Sequence, residues 1–272
     1  MKYLPLILLS FFPLLMMGQT YNSLMGDEGI YYAQTKQVNQ FFRRFNGEED
    51  IQGNKLVSGD NFVRDIKMRK KFLPILFDNS SSAVNKDMKE LFINQVLGKN
   101  PVYLDFHGKD WFAEVSASFL YKKEKVTIIL YLKIEKQHLG YKWVFSNVYF
   151  DRYAKWFTHV GDTTNNSLFL HPMSHEIDFM NLDKVFRDDE KIDYYLESTY
   201  TSDLLALFVE DVKAGNLKFE SVNSVKFHFF QVPGWYFEVV YQNRKDMNSG
   251  WLITNLLHVN AKEKSEIIRN YT

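Results

Sequence analysis

The sequence contains no cysteine. No disulfide can therefore hold the fold together, and the lipid-bearing cysteine of a bacterial lipoprotein is excluded. Beyond residue 18, no stretch reaches the roughly 18 consecutive apolar residues that would predict a membrane-spanning helix. We therefore expect a protein that is held by its hydrophobic core and has no membrane span after its leader is removed.

An excess of charge of either sign is also absent. The chain has 33 basic and 33 acidic residues. A protein that binds nucleic acid or an anionic membrane normally carries a basic field, which this composition does not supply. No nucleic-acid partner is therefore expected.

Several motifs that carry known chemistry are missing. The sequence has no Gly-x-Ser-x-Gly elbow, no Walker loop, no Gly-x-Gly-x-x-Gly turn and no EF-hand loop. These absences remove the usual support for a serine hydrolase, a P-loop enzyme or a dinucleotide-binding protein. His171 and His175 have the spacing of metal ligands, but Pro172 places His171 outside a helix that Ser174 would cap. Neither a metal nor a cofactor is expected.

The N-terminus has the pattern of a secretory signal peptide. Lys2 is followed by an uncharged apolar run from Leu4 to Met17, which ends at Gly18. The junction with Gln19 resembles export signals of the Bacteroidetes. We expect a signal peptide at 1–18, an N-terminal linker at 19–30 and a periplasmic or secreted location.

The remaining chain repeats one order of patterns, in which helical spacing is followed by strand alternation. The helix end at 90–100 aligns without a gap with 206–216, and 143–148 aligns with 251–256. Two matches in the same order predict a tandem duplication. The alternative is a pair of unrelated α+β domains.

A chain of 272 residues is about twice the commonest domain size, so two domains are expected. We place the first at 31–150, a connection at 151–169 and the second at 170–272. The apolar fraction of 46% is sufficient for a core in each. The sequence thus predicts an α+β protein made of two similar units.

The predicted elements follow from the period of the apolar residues. Alternation in the first half is clearest from Trp111 to Tyr121, where odd-numbered residues are mostly apolar and Glu114, Ser116 and Ser118 share the other face. Helices are predicted at 35–45, 62–77, 86–97, 175–187 and 201–213, and strands of the second half at 218–231, 235–243 and 251–259.

Helices followed by a long antiparallel meander ending in Trp-x-x-Ser/Thr-Asn resemble the NTF2-like superfamily, which includes SnoaL-like and ketosteroid-isomerase-type proteins. A cystatin-like fold is the alternative. The resemblance implies two tandem domains, each with N-terminal helices packed on a curled antiparallel sheet. It also implies an apolar pocket in each unit with polar side chains on the concave face.

The candidate pocket residues come from this implied geometry. Strand parity could place His228, Tyr236 and Glu238 on one face of the second unit, where a histidine and a carboxylate can act as a base and its orienting partner. Glu114 is the nearest counterpart in the first unit. Trp143 and Trp251 could stack on a ligand, although core packing is the other interpretation.

The function expected from these features is a non-enzymatic binding or interaction module of the cell envelope. It would use an apolar pocket or an inter-domain groove to bind a small apolar ligand, a glycan or an envelope protein. One alternative is a small-molecule isomerase, dehydratase or hydrolase with its site in the second unit, and another is a structural component of an envelope assembly. Asp162-Thr163-Thr164 also resembles an O-glycosylation acceptor of exported Bacteroidetes proteins.

The leader generates the first testable prediction. Protein recovered from its source cells should lack residues 1–18, because export removes a signal peptide. Intact-mass measurement and N-terminal sequencing should find Gln19 as the first residue. Recovery of the uncleaved chain in the membrane fraction would contradict this prediction.

Overall fold

The computed structural model describes residues 38–50, 54–60, 62–138, 140–156, 203–244 and 248–271. The leader, the linker at 19–30, the motif at 162–164, both His171 and His175, and the helix predicted at 175–187 lie outside the described residues.

The strands of both halves lie in one antiparallel sheet with the order β3-β2-β1-β4-β5-β6. The α+β prediction is therefore confirmed, and the halves contribute three neighbouring strands each. The strands are β1 (Trp111–Tyr121), β2 (Glu124–Gln137), β3 (Gly140–Tyr149), β4 (Leu217–Phe229), β5 (Trp235–Gln242) and β6 (Gly250–His258).

Helices flank each group of strands. In the first half they are α1 (38–46), α2 (Ile66–Phe72), a 3₁₀ turn (Leu73–Leu76), α3 (Lys86–Val96) and α4 (Asp151–Trp156). In the second half they are α5 (Leu204–Lys213) and α6 (Ala261–Tyr271). The helix predicted at 62–77 is shorter at both ends. It begins only at Ile66, after the Asp65 cap, and it changes to the 3₁₀ turn next to Pro74, whose ring nitrogen has no hydrogen to donate.

Side-chain caps fix where three of these helices begin. Asp65 accepts a hydrogen bond from Met68 N at the start of α2, and Asn85 accepts one from Asp87 N at the start of α3. Asp203 does the same for Ala206 N in α5. Each cap satisfies a backbone N–H that has no partner inside its helix.

One sheet forms instead of one sheet for each half because β1 and β4 pair along their whole lengths. The register runs from Trp111 opposite Phe229 to Tyr121 opposite Leu217, with two bulges on the way. Two separate sheets would have left both strands with an unpaired edge. The pairing removes those edges from the middle of the molecule.

The predicted alternation of β1 is confirmed. Its odd-numbered residues from Trp111 to Tyr121 are all buried in the main core. They share this core face of the sheet with Phe227 and Phe229 of β4 and with Phe237 of β5. The rings of Phe229 and Phe237 are stacked with their centroids 4.9 Å apart.

The helices on the core face cross between the two halves. α3 belongs to the first half but contacts β6, while α5 belongs to the second half but contacts β3. Phe92 of α3 packs at 5.5 Å from the ring of Phe237, and Phe208 of α5 packs at 6.2 Å from that of Phe145. Each half therefore covers strands of the other.

Removal of a core ring tests this packing. Phe237→Ala is expected to lower the free energy of unfolding by about 3–5 kcal/mol, because the ring is fully buried. Phe219→Ala is the matched control, since that ring is 60% exposed, and its loss should stay near or below about 1 kcal/mol. Urea unfolding followed by circular dichroism measures both, and equal losses would contradict the assignment of the core.

Candidate functional site

Four of the six candidate pocket residues meet on the outer face, which is the face of the sheet opposite the core. Glu114 projects from β1, His228 from β4, and Tyr236 and Glu238 from β5. In the strand register His228 lies opposite Glu238, and Glu114 lies opposite Lys226. We call these four residues, together with Lys226, the polar cluster.

Hydrogen bonds join the cluster into one chain. His228 Nε2 is 3.0 Å from Glu114 Oε2, and His228 Nδ1 is 2.8 Å from the Tyr236 hydroxyl. The Tyr236 hydroxyl donates to Glu238 Oε1 at 2.7 Å. Lys226 Nζ lies 3.3 Å from Glu238 Oε2 and 3.9 Å from Glu114 Oε1. The lysine thus bridges the two carboxylates.

Counting hydrogens identifies what the histidine must supply. Tyr236 has one hydroxyl hydrogen, which it donates to Glu238, so its oxygen can only accept from His228. Glu114, when ionised, also only accepts. When the Tyr236 hydroxyl donates to Glu238, His228 Nδ1 therefore supplies the hydrogen of the bond between His228 and Tyr236.

The cluster is buried at its centre and partly open at its rim. His228 is completely buried, whereas the side chains of Glu114 and Glu238 are 20% and 16% exposed. Lys226 is 35% exposed. A buried ring with both nitrogens hydrogen-bonded has no nitrogen available to take a proton from a ligand. The carboxylates and the ammonium group are the parts that solvent can reach.

The surroundings lower the pKa of both carboxyl groups. The hydrogen bond with His228 holds the pKa of Glu114 below its usual value, against the opposite effect of burial. Burial alone would raise the pKa of Glu238. The hydrogen bond from Tyr236, the charge of Lys226 and a hydrogen bond from Asn255 outweigh burial and lower this pKa as well.

Sequence reasoning missed Lys226 and Asn255. Lys226 precedes His228 by two residues, so strand parity places both on one face. Asn255 Nδ2 donates to Glu238 Oε1 at 3.2 Å and is paired in register with Glu238. The parity signal for Lys226 was present, but the register that brings β6 beside Glu238 was not readable from the sequence.

The C-terminal helix closes one end of the outer face. Ile267 and Ile268 of α6 pack on a second, smaller apolar group. The members of this group are Phe112, Tyr131, Phe230, Tyr236 and Val259. The ring of Phe112 stacks on His228 with the centroids 4.7 Å apart. This packing keeps water away from the histidine.

The other two candidates, Trp143 and Trp251, lie on the core face. The ring of Phe227 is 6.2 Å from Trp143 and 4.9 Å from Trp251. Trp251 is 5% exposed, and its other ring neighbour is Tyr241 at 5.5 Å. The sheet therefore separates these tryptophans from the polar cluster, so the six candidates do not line one pocket.

Neither of two cavities seen among the described residues touches the polar cluster. One is a small space of about 20 Å³ between α1 and β6. The other is an open depression of about 590 Å³ at the β2–β3 turn. All the residues that line this depression come from one hairpin, namely Glu135, Lys136, Gln137, His138, Gly140 and Tyr141.

No group of three or more histidine, aspartate and glutamate side chains within the described ranges is arranged to hold a metal ion. Among the same residues, none of the helices has the length and apolar content needed to cross a bilayer. Comparison of the chain with protein-family models, curated proteins and solved structures finds no match.

The lowered carboxyl pKa values give a prediction of pH dependence. Both groups are more acidic in the folded chain, so they stabilise it above the ordinary glutamate pKa of about 4.3 and lose this contribution as the pH falls through their folded values. The double variant Glu114→Gln, Glu238→Gln should therefore lose less unfolding free energy than the unaltered protein between about pH 7 and about pH 3.

Urea unfolding across that pH range measures the effect. At neutral pH each substitution should cost about 1–3 kcal/mol, because a partner of the cluster is left incompletely paired. Glu210→Gln on the exposed face of α5 is the control and should leave the pH dependence unchanged. Parallel curves for the double variant and the unaltered protein would contradict the role assigned to the cluster.

Proposed function

We propose that the protein is a non-enzymatic interaction module of the cell envelope that binds a protein partner. The observation that carries this proposal is a group of large apolar side chains exposed on and beside α5. Phe145, Val209, Val212 and Phe219 are 49%, 40%, 44% and 60% exposed. We call these four residues the α5 surface.

Buried rings link two members of the α5 surface, Phe145 and Phe219. Phe208 of α5 lies 6.2 Å from Phe145 and 5.8 Å from Phe119, measured between ring centroids. Phe119 lies 5.6 Å from Phe219. Groups of exposed apolar side chains are characteristic of surfaces that bind other proteins.

The neighbouring edge of β4 favours side-chain contact over the addition of a strand. β4 pairs with β5 only from Lys226 to Phe229, so no described strand pairs with this edge from 217 to 225. Bulges leave Glu220 and Asn223 without a partner in β1. Bulges and charged residues are the usual protection of an edge against pairing with another chain.

The polar cluster supports a binding role over an isomerase, dehydratase or hydrolase. Its one histidine is buried and has both nitrogens engaged, and the two cavities described above lie elsewhere. A surface formed by exposed apolar residues needs no enclosed pocket. A structural component of an envelope assembly could use the same surface and would differ in forming a permanent complex.

The location follows from the N-terminal pattern. A signal peptide at 1–18 would place the rest of the chain in the periplasm or outside the cell. We therefore expect the partner among exported or envelope proteins.

We also propose that the chain arose by duplication of one unit, as the aligned segments indicate. Each half runs in the order helix, three-stranded meander, helix. The reciprocal packing of α3 on β6 and of α5 on β3 supports two related units that share one sheet. Descent of each unit from the NTF2-like superfamily is part of this proposal and is supported by the order of elements alone.

Substitutions on the α5 surface test the proposed function. The double variant Val212→Ser, Phe219→Ser should weaken capture of the partner about tenfold or more, because loss of about 1.4 kcal/mol of binding free energy suffices for this change. Immobilised protein would be incubated with solubilised envelope proteins of the source cells. The captured proteins that an excess of the free, unaltered protein displaces would then be quantified by mass spectrometry.

Leu257→Ser provides the matched control. Leu257 is 44% exposed but belongs to β6, away from α5, so capture should be unaffected. An equal loss for the control, or full retention by the double variant, would contradict the proposal. Analytical ultracentrifugation of the complex would separate a reversible partner from a permanent assembly.

A further inference from the structure

We propose that the cavity between α1 and β6 is a binding site for one ordered water molecule. Its walls are formed by Gln40, Phe41 and Arg44 of α1 and by Gly250 and Trp251 at the start of β6. Its volume of about 20 Å³ exceeds the ~10–15 Å³ that one water requires.

Trp251, one of the lining residues, carries the buried donor that would make the first hydrogen bond. The Trp251 Nε1–H is shielded from solvent and has no acceptor in the protein. An indole N–H can only donate, and leaving it unpaired in the interior costs about 1–3 kcal/mol. An oxygen atom placed in the cavity would satisfy it.

A buried carboxylate holds the other two polar side chains. Gln40 Nε2 donates to Glu49 Oε1 at 3.0 Å, and Arg44 Nε donates to the same oxygen at 2.8 Å. Glu49 is only 2% exposed. These contacts fix the Gln40 amide and the Arg44 guanidinium beside the cavity, while the Gln40 Oε1 oxygen makes no hydrogen bond to the described residues.

The lining side chains offer both hydrogen-bond donors and an acceptor, which favours water over a carboxylate as the ligand. Trp251 and Arg44 can each donate to the bound oxygen, whereas Gln40 Oε1 can only accept from it. A carboxylate oxygen has no hydrogen to give to Gln40, but water both accepts and donates. One water would therefore join β6 to the Glu49 ion pairs of α1, with three hydrogen bonds, the usual number for a buried water.

Other tryptophans of the chain provide internal controls. Trp111 Nε1 donates to Phe106 O at 3.1 Å, and Trp235 Nε1 donates to Gln95 Oε1 at 2.9 Å. Both indoles are therefore already paired with protein oxygens. Only Trp251, among these three, should contact a long-lived water through its indole N–H.

Nuclear magnetic resonance of the ¹⁵N-labelled full chain tests the site. The Trp251 indole hydrogen should show laboratory-frame and rotating-frame Overhauser cross-peaks to water with opposite signs, which distinguishes a bound water from proton exchange. The indole hydrogens of Trp111 and Trp235 should show none. The conservative variant Gln40→Met should remove the Trp251 cross-peaks while leaving the control signals in place.

A crystal structure supplies the second measurement, independent of any variant. It should contain a water within hydrogen-bonding distance, about 2.7–3.2 Å, of both Trp251 Nε1 and Gln40 Oε1. A Trp251 indole bonded directly to a protein oxygen would overturn the proposal. Absence of the cross-peaks in the unaltered protein, or their persistence in the Gln40→Met variant, would also overturn it.

Discussion

The pairing of β1 with β4 is the constraint on which the rest of the structure depends. It joins two three-stranded meanders into one sheet and so defines a single core face and a single outer face. It also brings Glu114 and Phe112 of the first half beside Lys226 and His228 of the second. Without this pairing neither the continuous core nor the polar cluster would exist.

The two faces of the sheet bury different kinds of side chain. The core face is filled by aromatic rings such as Phe227, Phe229 and Phe237, whose burial provides most of the stabilisation. The outer face instead carries charges, and these are tolerable near the interior because each carboxylate is paired with Lys226, His228 or Tyr236. Its polar network links β1, β4 and β5 through side chains.

Sequence reasoning recovered the local features and missed the long-range ones. The alternation in β1 and the bounds of β4, β5 and β6 were predicted within two residues, because the period of apolar residues is local. That β1 would pair with β4 was not predicted, since alternation identifies a buried face but not the neighbouring strand. α6 was also missed, although Asn260 and Glu263 form a reciprocal capping box at its start.

The candidate site shows the same division. Strand parity correctly grouped His228, Tyr236 and Glu238, because their spacing alone decides the shared face. Sequence reasoning placed Glu114 in a separate unit, and only the register of the completed sheet brings its carboxylate to His228. Trp143 and Trp251 could be core or ligand-stacking residues from the sequence, and their contacts with Phe227 place them in the core.

The crossing of α3 and α5 between the halves has a consequence for biosynthesis. When the first three strands have left the ribosome, the helix that covers β3 and the strand that pairs with β1 have not yet been made. The nascent chain therefore exposes an apolar sheet face and a strand edge until the second half follows. Contacts so distant in sequence slow folding, and the exposed sheet face and strand edge favour aggregation until they are covered.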